Sequence, residues 1–192
     1  MNTRRTHGAV LTGLLTAAAL ALSACGKDGS GTASVPDGWG TLDTKGVSVS
    51  YPKGPQGFTE QSAAGRSRYN AAAAVRKRDG RTVSVITVQL GFTKADSAEQ
   101  AAIAAEAGIE MGARVTGEKD VKPAGGDGAK RVDFTFEATG EDGGPPKGTP
   151  VAGVIVTGLD SHGRTYAVRV DAARGALPAA DLKKIVDSVE VH

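Results

Sequence analysis

Strict alternation of apolar and polar residues constrains the fold of this chain more than any other sequence feature. Between Lys130 and Ala138, apolar residues occupy every second position and charged or hydroxylated residues lie between them. Because side chains alternate between the faces of a strand, this pattern predicts a strand with one buried face. Six further segments are predicted as strands, the weakest being the fourth: Gly46–Tyr51, Tyr69–Lys77, Arg81–Leu90, Val115–Lys122, Val151–Leu159 and Arg164–Asp171.

Short turn sequences join these strands into hairpins. The Asp79-Gly80 dipeptide is suited to a tight two-residue turn, and Asp160–Gly163 separates the last two predicted strands. Strands joined in this way pair antiparallel.

Two helices are predicted between and after the strands. Ala98–Met111 is rich in Ala and Glu and is followed by Gly112, which favours a helix end. A second helix begins after Pro178 and carries apolar residues at helical spacing: Leu182, Ile185, Val186 and Val189. The predicted fold class is therefore α+β, an antiparallel β-sheet flanked by helices.

The first 25 residues predict export and lipid anchoring. Arg4 and Arg5 precede Ala9–Leu22, an uncharged run of 14 residues that is too short to span a bilayer. The run leads into Leu22-Ser-Ala-Cys25, which resembles the bacterial lipobox. Small residues admit a peptidase, and the thiol of the only cysteine in the chain accepts a diacylglyceryl group.

Lipidation predicts where the protein is found. Two acyl chains, for example palmitate, make a stable membrane anchor where one does not. We expect the protein at the cell membrane, lipid-anchored on the extracytoplasmic face. The alternative is a secreted protein cleaved after Ala24. The general export route is favoured over the twin-arginine route, because the residues after Arg5 lack the apolar pair of that motif.

Three regions follow from these patterns: a signal peptide over 1–24, a flexible tether over 25–37 and a single α+β domain over 38–192. About 155 residues suffice for an independent core. The net charge of +2 comes from Arg4 and Arg5, so the remaining chain is neutral. A neutral domain with 4% aromatic residues argues against nucleic acid as a partner.

The order of elements in the domain also resembles a known fold. Trp39 precedes a short strand, Tyr51-Pro52 ends the next one, and the chain closes on a helix leading into Asp187-Ser-Val189. This resembles the PsbP-like fold, an α/β/α sandwich found in the photosystem II extrinsic protein, the DcrB lipoproteins and the actinobacterial LpqN-type lipoproteins. The Ala-, Gly- and Arg-rich composition also looks actinobacterial. The resemblance implies a fold and an envelope location, and it carries no catalytic residues.

No enzymatic chemistry is predicted from the sequence. His162 lies in a turn and His192 is the last residue, which favours a turn side chain and a frayed end over a metal site. No strained nucleophile motif is present, and neither a catalytic residue nor a cofactor is predicted. We expect a non-enzymatic binding or scaffold module. The alternatives are a carrier of a lipid or small apolar ligand and, third, an enzyme of unknown type.

One concentration of positive charge stands out. Six cations fall within 16 residues that contain one acid, Asp79: Arg66, Arg68, Arg76, Lys77, Arg78 and Arg81. They are candidates for contact with an anionic surface, either lipid headgroups, an anionic polymer or an acidic envelope protein. The alternative is a solvated hairpin tip that prevents edge aggregation.

Overall fold

The computed structural model describes residues 35–141 and 143–192. The predicted signal peptide, the lipidation residue Cys25 and most of the predicted tether lie outside these residues. The described chain forms strands β1 Trp39–Asp43, β2 Val47–Pro52, β3 Thr59–Glu60, β4 Ala72–Arg78, β5 Arg81–Leu90, helix α1 Ala98–Ala107, strands β6 Arg114–Val121, β7 Ala129–Glu137, β8 Pro150–Leu159, β9 Thr165–Ala173, helix α2 Ala179–Asp187 and strand β10 Glu190–Val191.

The strands form two antiparallel sheets. The larger has the order β3-β4-β5-β9-β8-β7-β6, and the smaller has the order β1-β2-β10. Hairpins between neighbours in sequence build most of the larger sheet, as the turn sequences predicted. The α+β class with antiparallel strands and two helices is confirmed.

Helix α1 lies on one face of the larger sheet. Its Ala102 and Ala105 pack against Val132, Phe134 and Ile155 on β7 and β8. Alanines bring a helix close to a sheet because their side chains are short, so little space remains beneath α1. The buried residues of the helix are Ala101, Ala102 and Ala105, whereas Gly108 after its end is exposed.

The opposite face of the larger sheet differs from the prediction. It packs mainly against the small sheet, with α2 beside it, and the shared core includes Leu42, Val49, Ile86, Val168 and Ile185. The sequence predicted one sheet flanked by helices, and the second, three-stranded sheet on this face was not predicted. The two-residue strands β3 and β10 were not predicted, because segments so short carry no alternation.

Two element boundaries differ from the sequence prediction by three residues or more. Helix α1 ends at Ala107 rather than Met111, and Met111 is 97% exposed. At the start of this helix, the Ser97 side chain accepts a hydrogen bond from the N–H of Gln100. Strand β4 begins at Ala72 instead of Tyr69.

The Asp79-Gly80 turn is confirmed as a tight hairpin. Both residues have positive φ, 51° and 76°, which is the conformation that a type I′ turn requires. Strand β4 therefore returns directly into β5, with Arg78 paired to Arg81.

Candidate functional site

The described chain enters the domain at one end of both sheets. Trp39 begins β1 and pairs with Pro52, and the N–H of Lys53 donates to Gly38 O at 3.0 Å. Pro52 and Lys53 line a shallow depression together with Arg76 of β4 and Asp181 of α2. The entry point therefore lies beside the end of β4.

We call this end of the domain the entry end. It contains the β4–β5 turn, the β7–β8 loop and the connection from β9 to α2. One cross-strand row of aligned residues marks it on the face opposite α1: Arg76, Ser84, Ala172, Ala152, Thr135 and Arg114. The other end of the sheet, which we call the far end, carries the loop before β4, the β6–β7 loop and the β8–β9 turn.

The six predicted cations do not form one strip. Arg76, Lys77, Arg78 and Arg81 lie at the entry end, whereas Arg66 and Arg68 precede β4 and lie at the far end. Strand β4 begins after the loop that holds Arg66 and Arg68 and ends at Arg78, and its seven residues span about 20 Å at the usual rise of a strand. The two groups are close in sequence, but the extended strand β4 places them at opposite ends of the sheet.

Several of the predicted cations have structural roles. Arg66 Nε donates to Asn70 O at 3.0 Å, so its guanidinium closes the loop before β4. Arg76 Nη1 donates to Ala176 O at 2.6 Å, which ties β4 to the connection between β9 and α2. Arg81 Nη1 donates to Gly144 O at 3.3 Å. Lys77 and Arg78 are exposed and have no ion pair or side-chain hydrogen bond among the described residues.

The fold adds two exposed cations to the entry end. Lys53 follows β2 and Arg174 follows β9, and neither has an ion-pair partner in the described part of the chain. Each is an isolated cation in its own loop, 24 residues or more from Lys77 in sequence. Because only the sheet topology brings these loops together, no sequence signal identified them.

An open groove of about 620 Å³ also reaches the entry end. Its lining includes Ala152, Val170 and Ala172 of the larger sheet and Leu182 of α2. Charged residues at its border are Arg114, Glu137 and Arg174. The groove exists because the small sheet and α2 cover only part of this face.

A second groove runs beside α1 on the other face. It has a volume of about 370 Å³, and its lining includes Thr87, Gln89, Arg169 and Asp171. Arg169 Nη2 lies 2.9 Å from Asp171 Oδ2, and its guanidinium carbon lies 5.0 Å from the centroid of the Phe134 ring. Burial raises the pKa of Asp171, while the guanidinium of Arg169 opposes that shift. Arg169 and Asp171 are two residues apart on β9 and so share a strand face, and neither was predicted as a site residue.

The Asp160-Ser161-His162 turn forms a structural network. The buried Asp160 carboxylate accepts from the backbone N–H of His162 and of Arg164, each at 2.9 Å, and from the Arg164 guanidinium. Burial alone would raise the pKa of Asp160, but these donors hold it below its ordinary value. The Ser161 hydroxyl donates to His192 O and lies 3.2 Å from His162 Nδ1, and the Asp160 carboxylate contacts the backbone N–H of His162 rather than its ring.

His192 is held in place, which corrects the prediction of a frayed residue. Its N–H donates to Gly46 O at 3.0 Å, and its carbonyl accepts from the N–H of Ser161 at 3.1 Å. Its Nε2 lies 3.5 Å from Asp43 Oδ1. In the described ranges, no group of three His, Cys, Asp or Glu residues is arranged to bind a metal ion. Nor does any helix in those ranges have the length and apolar character needed to cross a membrane.

Comparison with known proteins finds similarity among solved structures. No protein-family model matches the chain, and comparison with curated proteins found no match. Among solved structures, the chain is similar to the crystal structure of the Ran-binding protein Mog1p of Saccharomyces cerevisiae. The similarity has a TM-score of 0.48 and 12% sequence identity, and it covers 80% of this chain and 95% of that one. No function of this chain is inferred from this similarity.

Proposed function

We propose that this protein is a lipid-anchored protein of the extracytoplasmic membrane face whose domain binds a partner and catalyses no reaction. The observation that carries the proposal is Leu22-Ser-Ala-Cys25, in which the lone cysteine occupies the position that lipidation requires. The PsbP-like relationship of the domain, as in the LpqN-type envelope lipoproteins, is part of the same proposal. Its partner is an envelope protein or an anionic polymer.

The arrangement of the domain supports this function. Its larger sheet is covered incompletely on both faces, so surfaces for binding remain open beside α1 and beside α2. In the groove beside α1, Arg169 and Asp171 pair with each other. A domain of this kind presents binding surfaces close to the membrane to which Cys25 attaches it.

Replacement of the anchoring cysteine tests the proposal. We expect Cys25→Ser to abolish lipid attachment, because a hydroxyl does not replace the thiol in thioether formation. The variant is expected in the soluble fraction or as unprocessed precursor, and wild type is expected in the membrane fraction with a mass increase from the diacylglyceryl group. Ser23→Ala is the matched control, since it keeps a small residue and should leave processing unchanged. Equal membrane fractionation and equal mass for Cys25→Ser and wild type would reject lipid anchoring.

A second function, carriage of a lipid or small apolar ligand, is favoured by the groove beside α2. Its apolar floor is formed by Ala152, Val170 and Ala172, and Arg114 and Arg174 at the border suit an anionic head. Little space remains beneath the closely packed α1, so the groove beside α2 is the place where such a ligand would bind.

Filling this groove tests the carrier function. Ala152 is exposed on the sheet surface, so Ala152→Trp should occupy the floor without disturbing the core. We expect binding of a fluorescent fatty acid to weaken at least tenfold, whereas Thr116→Trp on exposed β6 should have no effect. Equal binding by both variants would show that the fatty acid does not bind in this groove.

A further inference from the structure

We propose that the entry end of the domain is a docking surface for anionic phospholipid headgroups, formed by Lys53, Lys77, Arg78 and Arg174. This inference rests on the proposed lipid anchor, since Cys25 must first be attached to the membrane. It goes further by specifying which end of the domain faces the membrane and which lipid chemistry that end recognises.

The length of the tether favours this orientation. Ten residues separate Cys25 from Val35, and ten residues span at most about 35 Å when fully extended. The ten residues of β8 span roughly 30 Å of the domain. The far end could therefore meet the membrane only if the tether ran almost fully extended along the domain. The entry end requires no such extension, so entropy favours it.

The charge around the chain entry is predominantly positive. Six cations lie there: Lys53, Arg76, Lys77, Arg78, Arg81 and Arg174. Three acids lie among them: Asp37, Asp79 and Asp181. Farther along the same end, the cations Arg114 and Lys147 lie with the acids Glu110, Glu137 and Glu141. The four cations named in the proposal are exposed and have no ion pair in the described ranges, so headgroup phosphates can approach them.

At the far end, acids surround one of the cations. Lys130 lies within 4 Å of three carboxylates, those of Glu99, Glu118 and Asp120. Arg66 is engaged with backbone carbonyls of its own loop. An anionic membrane therefore attracts the entry end and gains less from the far end, which gives a neutral domain a preferred orientation. Phospholipid is favoured over a wall polymer because the cations surround the point where the anchored chain enters.

The single tryptophan of the chain reports docking directly. Trp39 lies at the entry end, so its fluorescence should be quenched by lipids carrying a spin label on the headgroup. The full lipidated protein is reconstituted into vesicles of phosphatidylglycerol or of phosphatidylcholine, each with the same fraction of labelled lipid. We expect stronger quenching in phosphatidylglycerol, decreasing as salt is raised because exposed charges are screened.

Charge reversal at the two ends provides a matched pair of variants. Lys77→Glu/Arg78→Glu/Arg174→Glu alters the entry end, and Arg68→Glu/Lys94→Glu/Lys122→Glu makes the same change in net charge elsewhere. Each cation near an anionic surface is worth about a fivefold change in partition, so the loss of three cations alone should lower the ratio of docked to undocked protein by about a hundredfold, and the three added acids should lower it further. The second variant should quench like wild type.

The outcomes separate docking from anchoring. Membrane fractionation of each variant reports lipidation, and quenching is compared only among anchored proteins. Equal quenching in the two kinds of vesicle, or equal loss in the two variants, would overturn the docking surface while leaving the anchor intact. Retention on a polyphosphate polymer with no response to anionic vesicles would also overturn it. The salt series needs no mutation, so the proposal can be tested even if a variant folds poorly.

Discussion

Gly153→Ala is expected to lower the free energy of unfolding by about 3 kcal/mol, because the added methyl group would overlap side chains of the core. A β-carbon at Gly153 would overlap Phe134 Cζ and lie 2.7 Å from Asp171 Oδ1. Phe134 is 1% exposed, stacks on Phe136 and lies beneath the Arg169 guanidinium, so its ring has nowhere to move. Overpacking a core typically costs about 1–3 kcal/mol, and displacement of a buried ion pair adds to that cost.

Guanidinium denaturation followed by Trp39 fluorescence measures this effect. Gly128→Ala is the control, because no atom lies within 4 Å of a β-carbon there, and it should change stability by less than about 0.5 kcal/mol. Phe134→Leu removes the far end of the ring, so it should partly rescue Gly153→Ala and give a non-additive double-mutant cycle. Similar stability for Gly153→Ala and Gly128→Ala would show that the Phe134 ring can yield.

Asp160→Ala is expected to cost about 2–3 kcal/mol and to remove an acid-dependent part of the stability. The Asp160 carboxylate is fully buried and accepts backbone and guanidinium donors, whereas Arg164 is partly exposed and regains water when its partner is lost. The loss is therefore below the 3–5 kcal/mol typical of breaking a fully buried pair. Because this turn also holds His192, the pairing of the chain end with Gly46 should loosen too.

The pH dependence of this effect has a definite sign. Although burial opposes it, hydrogen bonding lowers the folded-state pKa of Asp160 below its ordinary value of 3.8. The unfolded state therefore binds the proton first as pH falls, so the contribution of Asp160 is present above about pH 4 and is lost below it. Wild type should lose more stability than Asp160→Ala between pH 5 and the acid limit, as measured by denaturation at each pH.

Asp171 supplies a control of opposite sign. Burial raises its pKa in the folded state, so its contribution is greatest below pH 3.8 and is lost as pH rises through the folded-state pKa. Asp171→Asn should therefore make the measured stability fall more steeply in acid than in wild type. If the free energy of unfolding varied with pH in the same way in wild type and Asp160→Ala, the hydrogen bonds to Asp160 would not favour its charged form.

Local pattern predicted most of the larger sheet. Alternation located β5 at Arg81–Leu90 and predicted β7 and β8 to within one residue, because burial of one strand face imposes a period of two. The Asp79-Gly80 turn was predicted because Asp and Gly are among the few residue types that adopt the positive φ values of a two-residue turn. The boundary of α1 was predicted less well, since a run of Ala and Glu favours helix beyond the point where packing ends at Ala107.

The candidate site was predicted only in part, because nearness in sequence does not show which residues are close in space. Nearness in sequence grouped Arg66 and Arg68 with the hairpin cations, but an extended β4 carries them to the far end. Lys53 and Arg174 lie far from the hairpin in sequence and join it through the pairing of strands and the placement of α2. The Asp160 and Asp171 environments also depend on long-range contacts, which alternation does not encode.

The sequence by itself determined the features that depend on neighbouring residues: the lipobox at Cys25 as a prediction, the antiparallel hairpins and the neutral charge of the domain. The tertiary structure decided which distant residues meet. It placed the small sheet over one face, brought the chain entry beside the β4–β5 turn and buried Asp160 and Asp171. The physical reason is that turns and strand faces follow from local sterics and period, whereas cross-strand rows and coverage of the sheet follow from how separate elements pack.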